Sequence, residues 1–104
     1  MWYTLDKDNN PIKASTNEYL EWIEKNPLKK VVAQDTIKEI FISTVFLGLD
    51  HAFPMNSNKP VLWETMIFRG EHDQYQERYV SHEDAVAGHE FALIMVKRSL
   101  NKKV

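Results

Sequence analysis

Ile40-Phe41-Ile42-Ser43-Thr44-Val45-Phe46-Leu47-Gly48-Leu49 carries the strongest β signal in the chain. β-Branched and aromatic residues fill it, and they suit a pleated, packed surface. With a period of two, one face holds Ile40, Ile42, Thr44, Phe46 and Gly48. The other holds Phe41, Ser43, Val45, Leu47 and Leu49. A strand apolar on both sides is expected at the centre of a sheet, covered on both faces.

The flanks extend this sheet. Upstream, residues 30–37 read as a strand joined to the central one by a tight turn at Lys38-Glu39. Downstream, residues 50–60 hold prolines, asparagines and a serine and read as a loop. Residues 61–69 form a second strand apolar on both faces, residues 70–76 a polar loop, and residues 77–80 a short last strand. Met1 to Leu5 is short, aromatic and β-prone, and runs into the dense turn signal at residues 6–11.

Two helices are bounded by their caps. Ser15-Thr16-Asn17-Glu18 is a capping box, and Pro27 stops that helix near Asn26. Tyr19, Leu20 and Ile23 share its apolar side, with Trp22 at the edge. Ser81 caps the second helix, with Asp84 at N3, and the helix extends to about Leu100. Its wide apolar stripe is Ala85, Val86, His89, Ala92, Leu93, Val96 and Leu100, while Phe91, Ile94 and Met95 form a smaller second surface. The expected architecture is a single α+β domain over residues 1–104, an antiparallel sheet of about four to five strands with two helices packed on it. Two helices leave apolar sheet surface over, and a homo-oligomer is expected to cover it.

Composition narrows the function. The chain has 104 residues, 43% of them hydrophobic and 12% aromatic, which is a globular composition. Thirteen basic against fifteen acidic residues give a net charge of −2, the wrong sign for a dedicated nucleic-acid binder. The absence of cysteine excludes disulfides, thiol nucleophiles and thiolate zinc sites. No apolar run reaches the roughly 18 residues of a membrane span, and no signal peptide opens the sequence, so a cytoplasmic protein is expected.

Four places carry chemistry-bearing side chains. Asp50-His51 joins a carboxylate to an imidazole at the end of the central strand, where an aspartate can equally cap a turn. Glu64 lies among Leu62, Met66 and Phe68, and a carboxylate there needs a pairing partner such as an arginine. His89 sits in the apolar stripe of the second helix, as a core histidine or as part of a site with Glu64 or His51. The stretch from Arg69 to Tyr79 concentrates Arg69, Tyr75, Arg78 and Tyr79 ahead of a helix N-terminus, a combination suited to phosphate and base. Asp50, His51, Glu64 and His89 are residue types that zinc or manganese accepts, yet their spacing matches no metal motif, so no metal or cofactor is expected.

Three stretches together resemble a family of small uncharacterised proteins of tailed bacteriophages and prophages: residues 43–51 (STVFLGLDH), residues 62–68 (LWETMIF), and Glu77-Arg78-Tyr79 followed by Glu83-Asp84-Ala85 and Ala87-Gly88-His89. The resemblance covers about residues 4–96 and marks Asp50, His51, Glu64, Thr65, Arg78, Tyr79 and His89. It implies a phage accessory protein made in the bacterial host cytoplasm, a class that includes proteins sequestering nucleotide immune signals. The leading expectation is therefore a non-enzymatic protein binding a small anionic ligand such as a host nucleotide signal, through Asp50, His51, Glu64, Arg69, Tyr75, Arg78, Tyr79 and His89. The alternatives are a protein–protein interaction module acting through Phe91, Ile94 and Met95, and a metal-dependent hydrolase in which Asp50, His51, Glu64 and His89 converge.

Overall fold

A computed structural model describes residues 1–51 and 59–101. Trp2–Leu5 (β1) and Pro11–Ala14 (β2) form a two-stranded antiparallel hairpin. Thr16–Lys25 is the first helix (α1), followed by a short 3-10 turn at Pro27–Lys30. Val31–Ile37 (β3), Ile40–Phe46 (β4), Trp63–Phe68 (β5) and Gln76–Tyr79 (β6) form a four-stranded antiparallel sheet in chain order. His82–Asn101 (α2) lies across all four of these strands. The protein is thus α+β, with helices against antiparallel sheets. The expected loop at residues 50–60 falls largely at 52–58, outside the described residues.

The caps form as their sequences dictate. Glu18 N–H donates to Ser15 Oγ at 3.1 Å, and Ser15 N–H donates to Glu18 Oε1 at 2.7 Å, closing the capping box. Asp84 N–H donates to Ser81 Oγ at 3.0 Å at the start of α2. The β1–β2 hairpin was not expected. Residues 6–10 are its turn, Asp6 accepting the Asp8 and Asn10 N–H groups, and the turn signal extends so close to Pro11–Ala14 that the second strand's four residues carry no pattern of their own. Pro11 stands at the strand's first position, where a missing donor is tolerated.

β4 ends before Leu49 because Gly48 adopts φ +80° with a Tyr19 ring carbon 2.4 Å from where its Cβ would sit. A side chain at position 48 would have to displace that ring. The Tyr3 N–H donates to the Gly48 carbonyl there, stitching the hairpin to the end of β4.

Only one face of the large sheet is covered by described elements. Ile40, Ile42, Phe46, Trp63 and Ile67 point to that face and are buried. Ile40, Ile42 and Ile67 meet Ala92 and Val96 of α2. Phe46 and Trp63 meet Tyr3, Leu5 and Tyr19, with Trp22 edge-on to Phe46. The opposite face carries Phe41, Ser43, Val45, Glu64, Met66 and Phe68, aligned by register. The expectation that β4 is covered on both sides is therefore not met by the described residues, since α1 packs against the hairpin rather than over that second face. Leu20 and Val86, expected inside, are 50% and 42% exposed.

One close approach fixes α2. Gly88 has no side chain, and a Cβ there would lie 2.0 Å from the Tyr79 hydroxyl oxygen. The helix can ride directly over that hydroxyl only because position 88 is glycine.

Candidate functional site

A file of polar side chains crosses the sheet beneath α2. Asp35 stands on β3, Thr44 on β4, Thr65 on β5 and Tyr79 on β6, and His89 reaches down from α2. Thr44 and Thr65 are direct cross-strand partners. His89 Nε2 lies 2.7 Å from Asp35 Oδ2, and His89 Nδ1 lies 2.7 Å from Thr44 Oγ1. Thr44 Oγ1 is 2.6 Å from Thr65 Oγ1, which accepts from the Tyr79 hydroxyl at 3.0 Å. With His89 neutral, one assignment of protons satisfies every link. The Tyr79 hydroxyl donates to Thr65, the Thr65 hydroxyl to Thr44, the Thr44 hydroxyl to His89 Nδ1, and His89 Nε2–H to the Asp35 carboxylate.

The chain runs from buried to wet. Thr44 and Thr65 are fully buried and His89 is 3% exposed, while the Asp35 side chain is 49% exposed. Burial raises the Tyr79 hydroxyl's pKa, its bond with Thr65 pulls the other way, and the nearby Glu77 charge adds to the rise. Carboxylate, imidazole and hydroxyl in this order form the set that activates a nucleophilic hydroxyl in hydrolases. Here the hydroxyl is sealed from any substrate, so the set orders α2 on the sheet.

On the opposite face stands a second polar group. Glu64 Oε2 accepts from Arg78 Nε at 2.9 Å and from the Gln76 side-chain amide. The Glu64 side chain is 11% exposed and that of Arg78 41%. Register places Arg78 directly beside Glu64. The arginine partner that sequence chemistry asks of Glu64 is thus Arg78, and only the Nε of that guanidinium is used by the pair.

The eight residues singled out from sequence do not converge. Glu64 and Arg78 share the face that no described element covers; His89 and Tyr79 share the helix-covered face, and their partners are Thr44, Asp35 and Thr65 rather than Glu64 or His51. Tyr75 is half-buried beside Ile40, Ile42 and Ile67, where burial first, then Tyr79 and Glu77, raise its pKa. Arg69 is pinned to the β3–β4 turn: its guanidinium donates to the Glu39 carbonyl at 3.1 Å and its N–H to Asp73 Oδ1 at 2.5 Å. Asp50 Oδ1 accepts the Val61 N–H at 2.9 Å, the turn-capping role open to a strand-end aspartate, and His51 beside it is exposed. Among the described residues no three His, Asp or Glu side chains gather around a potential metal position. No described helix is long and apolar enough to cross a membrane.

Asp35 and Thr44 were missed as site residues, and Thr65 was marked by the resemblance alone. Their signal lay in the pattern: a threonine on the apolar face of each central strand, opposite a histidine in the apolar stripe of a helix. Interior polar residues on facing elements seek one another.

The second face also carries an aromatic pair outside the core clusters. Phe41 and Phe68 are cross-strand partners with ring centroids 5.9 Å apart and planes at 25°. Phe68 is 39% exposed. The outer surface of α2 exposes Phe91 and Ile94 at 56% and 50%. Comparison of the chain with family models, with curated proteins and with solved structures gives no match in any of the three.

Proposed function

We propose that this protein acts by binding, as a phage accessory protein working in the bacterial cytoplasm, and that it binds a protein partner through the uncovered face of its β3–β6 sheet. The stacked Phe41–Phe68 pair on that face carries the reading. Aromatic anchors flanked by polar groups are the usual make-up of a protein-docking surface. Here the flank is Gln34, Ser43, Gln76 and the Glu64–Arg78 pair. The sealed Thr44 hydroxyl further favours binding over hydrolytic chemistry, because no substrate reaches it.

A photoreactive residue at position 68 tests this in the host cell. A discrete crosslinked adduct is expected there, and none above background with the same residue at Val86, on α2 away from this face. Equal or absent crosslinking at 68 defeats the reading.

A second reading rests on Arg78. Its pair with Glu64 uses Nε alone and leaves both terminal amino groups on a side chain 41% exposed. A guanidinium held from behind by a carboxylate presents those groups to a small anion such as a nucleotide phosphate.

A further inference from the structure

We infer that the partner for the uncovered sheet face is a second copy of this chain, docked sheet to sheet about a two-fold axis parallel to the strands. The inference rests on that face being the binding surface. Three observations carry it.

The first is position. β4 and β5 are the two central strands of the four, and Phe41 and Phe68 stand opposite each other on them. An axis running between these strands places Phe41 of one copy over Phe68 of the other, and the reverse. The two aromatic pairs then close into one four-ring cluster on the axis, at the end of the face where β4 begins and β5 finishes. An isologous contact requires this self-matching.

The second is charge. Glu64 and Arg78 on the face neutralise each other, as a bonded pair 2.9 Å apart. Two such faces meet without net repulsion, and each buried carboxylate brings its own cation. A face built for a strongly charged partner would carry an excess of one sign.

The third is area. Seven residues along β4, at about 3.3 Å each, and four strands about 4.8 Å apart make a face of roughly 23 by 19 Å. That is about 400 Å² in projection, short of the roughly 600–1,000 Å² that stable specific pairs bury on each side and in the range of weak, transient contacts. It fits a reversible dimer, and it is small for an obligate one.

Sedimentation equilibrium of the full chain from about 1 μM to 1 mM is the test. The expected result is a monomer–dimer equilibrium with a midpoint on the order of 10–100 μM, rising from the 12.2 kDa chain mass to twice that. Phe68→Glu should weaken association at least tenfold, while Phe91→Glu, on the outer surface of α2, should leave it unchanged. Should Phe68→Glu lose its far-ultraviolet circular dichroism, Phe68→Ser takes its place. A monomer throughout, or association that survives the Phe68 variant, overturns the inference. Crosslinking at position 68 separates the two claims. An adduct with a different protein, alongside a monomer in sedimentation, removes the second copy and keeps the docking face; no adduct and no dimer remove both.

Discussion

Thr44→Val isolates the polar file beneath α2. Valine preserves the branched shape of threonine and favours strands slightly more, so packing and propensity predict no loss. What disappears is the hydroxyl that donates to His89 Nδ1 and accepts from Thr65. His89 is 3% exposed and Thr65 fully buried, so neither recovers the bond from water. Thr65 still has Tyr79 as a donor, but its own hydroxyl proton is stranded, as is the Nδ1 lone pair. Each orphaned buried group costs about 1–3 kcal/mol, and partial relaxation puts the sum near 2–4 kcal/mol. For a domain of this size the melting temperature should fall by roughly 10–20 °C. Urea titration followed by circular dichroism, at constant m-value, measures it. Thr44→Ser is the complement: it keeps the hydroxyl, loses the methyl, and should cost about 1 kcal/mol, for the small cavity it leaves. A Thr44→Val protein within 0.5 kcal/mol of wild type, or less destabilised than Thr44→Ser, refutes the reasoning.

Two further outcomes follow from the same geometry. Arg78→Ala leaves the largely buried Glu64 with Gln76 as its remaining polar partner and should cost about 1–3 kcal/mol, between the values for exposed and buried ion pairs. Calorimetric titration of wild type with nucleotides runs beside it, and a destabilised variant together with no nucleotide bound by wild type excludes the anion reading. Glu18 is held below the usual carboxylate range, first by the Ser15 backbone N–H and then by the Ser15 hydroxyl. A lowered folded-state pKa means its contribution is complete above the unfolded value near 4.5 and fades as pH falls through the folded one. Thermal melts of wild type and Glu18→Gln should therefore converge on acidification below pH 4.5, and a gap that stays constant there contradicts the assignment.

The fold was legible wherever a local rule decides the outcome. Ser15 and Ser81 announced their helices because capping is a contact between residues three apart. Ile40 to Phe46 announced a central strand because its residues suit nothing else. The separate hairpin was not legible, since four residues after a turn hold too little periodicity, whereas apolar sheet surface left over by two helices was, without which face it would be. Apolar residues on both sides of a strand say that both sides avoid water, and they do not say whether the cover comes from within the chain. The Glu64–Arg78 pair was legible as a chemical need for a cation, with register supplying the partner. The pairing of His89 was not: Asp35 lies 54 residues away on an edge strand, and only the sheet order brings it under the helix.

The contact between Gly88 and the Tyr79 hydroxyl makes those two positions one unit of inheritance. A descendant that gains alanine or serine at 88 improves its helix locally and loses the seat for the tyrosine. It has to shorten position 79 in the same lineage, and then Thr65 loses its donor and drifts toward an apolar residue. In diverging chains of this architecture, glycine, tyrosine and threonine at these three sites should be kept or replaced as a set.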